Sequence, residues 1–226
     1  MRPMLTKIDD GLWTADAPHL FFGLHIGTRM TVVKLRGGGL LLHSPIELLG
    51  PLRAEVDALG PVRHIVCPNV YHHMYAGPWA DAYPEAILHG PDGLAQKRPD
   101  LKTPRSLSAT LHPDLEGDLI PVPIDGCLMR ETLFVHPRSR TLISSDLVEN
   151  FETSDHLPTR LYLKIGGVHG KIGWSRLLRV LYRDHAAARA SLERLLSHDF
   201  DRTILSHGRI VESGSKEAIR GAFTWL

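Results

Sequence analysis

The chain has 226 residues, of which 43% are hydrophobic and 23% charged, and its 26 Lys+Arg against 25 Asp+Glu leave a net charge of +1. These figures suit one globular unit with a sizeable core and exclude a disordered, collagen-like or disulfide-scaffolded protein. They give no basic excess for nucleic acid and no acidic tail for a basic partner.

In chain order, Gly11 to Thr14 reads as a short strand. Thr31 to Leu35 is β-branched, ends at Gly37-Gly38-Gly39, and is followed at once by Leu40 to His43, which predicts a β-hairpin. Ser44-Pro45 predicts an N-cap with Pro at the first helical position, and Leu48, Leu49, Leu52, Val56 and Leu59 share one helical face before Gly60-Pro61. His64 to Cys67 reads as a short buried strand, Trp79 to Tyr83 as a short helix, and Ala86 to Leu88 as a strand. Residues 92–118 are rich in Pro, Asp and Lys and predict irregular structure. Strands resume at Leu119 to Ile124, and Glu131 to His136 pairs with Thr141 to Asp146 around Pro137 to Arg140. Trp174, Leu177, Leu178 and Leu181 predict one amphipathic helix, and Ala188, Leu192, Leu195 and Leu196 another. Thr203 to Ser206 is the last strand, and Ser213 is placed to cap a terminal helix. Two strand-rich halves, each followed by helices, predict two sheets covered by helices.

Three strand ends deliver polar groups: Asn69 to Gly77, Ser144-Ser145-Asp146, and Ser206-His207-Gly208. Neutral imidazole and carboxylate together suit zinc, iron or manganese. The rivals are weaker. Ser144 and Ser145 with His207 and Asp146 lack the G-x-S-x-G elbow of a hydrolase triad. Gly166 to Gly173 lacks P-loop spacing and reads as a mobile loop, with His169 and Lys171 as candidate substrate contacts. Cys67 and Cys127 read as small buried apolar residues, Arg183-Asp184-His185 as a salt-bridged turn, and Tyr71, Tyr75 and Trp79 as a pocket wall or core. Two cysteines outside any CxxC pair predict a reducing, cytoplasmic setting. Residues 1–20 carry Asp9, Asp10 and Asp16 and lack the apolar stretch of a signal peptide. No apolar run approaches the ~18 residues of a membrane span.

The order of strand, His-His loop, strand with terminal Asp and strand with terminal His-Gly resembles the metallo-β-lactamase fold over nearly the whole chain. In that family the first loop reads His-x-His-x-Asp-His-x-Gly. Setting Gly77 on its glycine puts His72 on the second motif His and leaves Val70, Met74 and Tyr75 at three other ligand positions. Asp146 matches the bridging Asp and His207 the closing His, while the intermediate His falls near Ile124 to Cys127, where Asp125 is a candidate replacement. The run His136 to Leu142, of the form His-Pro-x-Ser-x-Thr-Leu, and Pro68-Asn69 with His72-His73 also look like an uncharacterised branch of the fold, a domain of unknown function.

The resemblance implies a four-layer αβ/βα sandwich forming one domain over residues 1–226. It implies a metal-dependent hydrolase of a small-molecule ester, thioester, amide or phosphoester. The metal ligands would be His72, Asp146 and His207, with His73 as a further ligand, and Asp146 and His72 would serve catalysis. With Val70 and Met74 unable to ligate, at most one tightly held ion per chain is expected, zinc first and iron or manganese after it. The alternative is a metal-free, non-catalytic relative that binds a small molecule or a protein partner.

Overall fold

The computed structural model describes residues 4–101, 104–107 and 111–226. The first half opens with β1 (Thr6–Asp9) and β2 (Leu12–Ala17), a small hairpin of β3 (Leu20–Phe21) and β4 (Leu24–His25), then β5 (Thr28–Lys34) and β6 (Leu40–His43). It continues through α1 (Gly50–Leu59), β7 (Val62–Val66), α2 (Ala76–Ala82), β8 (Ile87–Gly90), α3 (Leu94–Lys97) and β9 (Arg105–Ser106). After a 3₁₀ turn at Pro113–Leu115 come β10 (Ile120–Pro123), β11 (Thr132–His136) and β12 (Thr141–Ile143). The chain ends with β13 (Glu149–Phe151), α4 (Leu157–Gly166), β14 (Lys171–Gly173), α5 (His185–Ser197), β15 (Arg202–Ile204) and α6 (Ser215–Ala222).

One sheet runs β1-β2-β5-β6-β7-β8-β9, antiparallel up to β6 and parallel from β6 to β9. The other runs β10-β11-β12-β15, with β12 and β15 parallel. Strand alternation sorts the side chains into three layers. Leu40, Leu42 and Ile65 turn outward to meet Leu52 and Val56 of α1 and Trp79 of α2. Leu133, Val135 and Leu142 turn outward to meet Ala188, Leu192 and Leu195 of α5 and Ile219 of α6. Leu12, Val33, Leu41 and Val66 face Phe134, Ile143 and Ile204 between the sheets. Each fully buried Leu, Val, Ile or Phe removed from water contributes about 1.5–3 kcal/mol before entropy is counted. The order of layers is therefore helix, sheet, sheet, helix. Among the described residues, no helix is long and apolar enough to cross a membrane.

Several local expectations are overturned. Ser44 is not an N-cap: its φ is +54° and its N–H goes to the Val66 carbonyl. The chain runs on to Leu49, and α1 begins at Gly50 with Pro51 in its first turn. The segment read as a mobile loop is structured, because α4 ends at Gly166, Gly167 closes it at φ +73°, and β14 pairs with β13. Helix α4 escaped the sequence reading because Leu157, Leu161 and Ile165 are exposed, so its apolar period does not mark its buried side. Arg176–Leu181 is a 3₁₀ turn and not an α-helix, since the N–H groups of Arg183 and Asp184 leave it for the Gly126 carbonyl. Gly214, not Ser213, stands at the start of α6, and the Asp201 carboxylate accepts its N–H at 2.8 Å. Residues 92–118 hold α3, β9 and the Pro113–Leu115 turn; residues 102–103 and 108–110 of that stretch lie outside the described residues.

Candidate metal centre

The site forms where the carboxyl ends of parallel strands of both sheets meet. His72 comes from the loop after β7, Asp146 from the turn after β12 and His207 from the turn after β15. His72 Nε2 lies 3.2 Å from Asp146 Oδ2 and 3.2 Å from His207 Nε2, and His207 Nε2 lies 3.2 Å from Asp146 Oδ1. The three expected residues are thus brought together, one donor atom of each within 4.8 Å of the others.

Each is held from behind. His207 Nδ1 donates to the Gly27 carbonyl at 2.8 Å, which leaves Nε2 as the nitrogen facing the cluster. His72 Nδ1 lies 2.6 Å from Ser44 Oγ, itself 3.3 Å from Ser206 Oγ. Asn69 accepts the N–H groups of Tyr71 and His72 at 2.8 and 2.9 Å and donates to Asp146 Oδ2 at 2.7 Å. One side chain therefore shapes the His72 loop and orients the carboxylate opposite it. Buried Glu131 accepts from both Ser144 and Ser145 hydroxyls and from the N–H groups of Ser145 and Asp146. Arg29 ties β5 to the last strand end through the carbonyls of Leu205 and Gly208, at 2.7 and 2.9 Å.

Burial alone would raise the Asp146 carboxyl, but the neighbouring His72 and the hydrogen bond from His207 outweigh it and hold it well below the ordinary range. Burial likewise opposes a charged His207, yet its bond to Asp146 raises it above the ordinary value. His43, fully buried beneath the site, is driven down to about 3 by burial and then by His72.

Other candidates lie elsewhere. His73 does not join His72: its Nδ1 and its carbonyl lie 3.1 and 2.9 Å from Arg98 Nη1, and burial lowers the ring to about 4. Adjacent residues of a turn point apart here. Asp125 does not replace the missing His, being bound to Ser191 and Arg194, and it lines a separate cavity of about 390 Å³ with Arg130 and Asp184. The hydroxyls of Ser144 and Ser145 serve Glu131, so neither is poised as a nucleophile. Asp184 caps α5 through the Ala187 N–H, at 3.0 Å, instead of forming a salt-bridged turn. Tyr75 reaches His19, with its hydroxyl 3.4 Å from Nδ1. Ser44, Asn69, Glu131 and His19 were missed as site residues. Only Asn69 carried a signal, an Asn two and three positions ahead of the N–H groups it binds.

Gly208 has φ +86°, and a Cβ there would lie 2.2 Å from the Asn150 carbonyl oxygen. Gly208→Ala is expected to cost roughly 2–4 kcal/mol from backbone strain and overlap, read as a lower midpoint in urea unfolding.

Residues 9–93 match the model of a domain of unknown function (DUF4336). Comparison with curated proteins gives no match. Among solved structures, a metallo-β-lactamase from Erythrobacter litoralis superposes with a TM-score of 0.69 at 12% identity, over 98% of this chain and 96% of its own. The metallo-β-lactamase FIM-1 from Pseudomonas aeruginosa, in its mono-zinc form, gives 0.62 at 12% identity over 98% and 95%. This chain has the metallo-β-lactamase fold. A third metallo-β-lactamase, from Pontibacter korlensis, gives 0.63 at 13% identity over 97% and 99%. The chain is a divergent domain of that fold, and its four layers are those expected from its sequence.

Proposed function

We propose that the chain is a metal-dependent hydrolase that holds one divalent ion, zinc by its donor set, between His72, Asp146 and His207. The observation that carries this reading is the cluster of donors joined by three contacts of 3.2 Å, in which Asp146 turns Oδ2 to His72 and Oδ1 to His207. Donors about 2.0 Å from a shared tetrahedral ion stand roughly 3.3 Å apart. Two imidazole Nε2 atoms and a carboxylate turned on one point, with both Nδ1 atoms held elsewhere, are a set that a cation satisfies and that a neutral side chain does not. The mono-zinc form named for the Pseudomonas aeruginosa relative supports a single ion in this fold.

A divalent ion held by these residues would supply Lewis-acid chemistry, lowering the pKa of a bound water toward about 7 and polarising the scissile bond. Asp146, kept ionised by its two histidines, would orient the attacking water or take its proton. His72 and His207 fix the donor geometry, and Ser44, Asn69 and the Gly27 carbonyl prevent their rings and the carboxylate from turning away. Tyr71 and Met74 flank His72 and are exposed, and the Phe21 ring lies 6.3 Å from Tyr71, so the rim of the site is apolar. A small-molecule ester, thioester, amide or phosphoester with an apolar portion fits such a rim.

The test is a panel of chromogenic esters, thioesters and phosphodiesters offered to metal-stripped protein with and without added zinc. Turnover of at least one class should appear only with zinc and vanish in His72→Ala. Turnover that ignores both zinc and His72, or zinc uptake unchanged when His72 and His207 are both replaced, would overturn the assignment.

A further inference from the structure

A second set of nitrogen and oxygen donors lies away from this centre, on the inner face of the first sheet. Ile65 and Leu88 point outward, so alternation turns His64 of β7 and His89 of β8 toward the middle of the sandwich. There they meet His112 and Asp114 of the Pro113–Leu115 turn, which is seated between the sheets by Leu115. His64 is fully buried, and its Nδ1 lies 3.0 Å from His89 Nε2. Its Nε2 has no hydrogen bond, although it is buried; Asp114 Oδ2 stands 3.5 Å away, beyond good hydrogen-bonding range. Asp114 Oδ2 is also 3.7 Å from His112 Nδ1, and His64, His112 and Asp114 each place a donor atom within 4.8 Å of the other two.

We infer that His64, His112 and Asp114 form a second divalent-metal site of zinc-type chemistry, independent of the first. A buried, unpartnered imidazole nitrogen facing a carboxylate at non-bonding distance is what a ligand set looks like when the atom it shares is a cation. His89 then has a positioning role: accepting the His64 Nδ1 proton leaves the His64 Nε2 lone pair turned to the site. Asp114 is more than half exposed, which gives an ion its way in. Bound there, an ion would tie the Pro113–Leu115 turn to β7 and act on stability. The expectation of at most one ion per chain counted only motif positions, and this site raises it to two.

The experiment measures zinc per chain by atomic emission on full-length protein loaded with zinc and passed over chelating resin. Wild type should hold two ions, His72→Ala/His207→Ala one, His112→Ala/Asp114→Ala one, and the variant with all four replacements none. Zinc should also raise the melting temperature of His72→Ala/His207→Ala, and that rise should be lost once His112 and Asp114 are replaced as well. His112 and Asp114 are surface-accessible, so their replacement tests binding without emptying the core. Zinc content equal to wild type in His112→Ala/Asp114→Ala would overturn the second site, whatever the first one does. An ion lost only from that variant, with none lost on replacing His72 and His207, would uphold the second site and reject the first.

Discussion

His207→Ala is expected to abolish zinc-dependent hydrolysis and to remove one ion per chain. The substitution deletes one of three protein donors, and His72 with Asp146 alone makes a weak pair. Its effect on stability should divide into two parts. An ion present at 100 to 1,000 times its dissociation constant stabilises the folded state by about 3–4 kcal/mol, and that part should disappear from the comparison when both proteins are measured in EDTA. A smaller part, about 1–2 kcal/mol, should survive in EDTA, because the ring also donates to the Gly27 carbonyl and leaves that acceptor without its partner. Melting curves of wild type and variant with and without chelator separate the two. A gap of the same size in both conditions, with zinc content unchanged, would show that His207 is only a structural residue.

Loss of the Glu131 carboxylate should be the most damaging single change to stability around the site. Its two oxygens accept two hydroxyls and two backbone N–H groups from Ser144, Ser145 and Asp146 in a place with almost no access to water. Burial, and then the charge of Asp146, push Glu131 up to about 7, so the fold tolerates this carboxylate only through the donors around it. Glu131→Ala strands those donors and should cost about 3–5 kcal/mol, roughly 10 °C in melting temperature for a chain of this size. The turn that presents Asp146 should loosen with it, so zinc affinity at the His72 site should fall although no ligand has been touched. A variant that melts like wild type, with unchanged zinc affinity, would remove Glu131 from the support of the site.

The strands were legible where β-branched and aliphatic runs end at strong turn signals, as at Thr31 to Leu35 before Gly37-Gly38-Gly39. The three clustered residues were legible for a related reason: each is polar and stands just past a buried strand, where only a turn or a site can use it. What escaped was decided by contacts far apart in the chain. Ser44-Pro45 has the composition of a helix start, yet the Val66 carbonyl and the His72 ring claim the serine. His72 and His73 are chemically identical neighbours, and only the position of Arg98 separates the one in the site from the one outside it. Glu131 is one charge at the edge of an apolar strand, and its role exists only because the Ser144 turn folds back over it. His64 opens one predicted strand and His89 stands just past another; their meeting with each other and with His112 and Asp114 depends on sheet order, which no local pattern encodes.

The middle layer has a consequence for how the molecule breathes. Each half of the chain owns a complete outer core, the first built from α1 and α2 against one sheet and the second from α5 and α6 against the other. His72 belongs to the first half, while Asp146 and His207 belong to the second. A rare opening along the layer of Leu41, Val66, Phe134 and Ile204 could leave both outer cores intact and still pull the donors apart. An ion held by all three donors would therefore oppose that one opening by mass action.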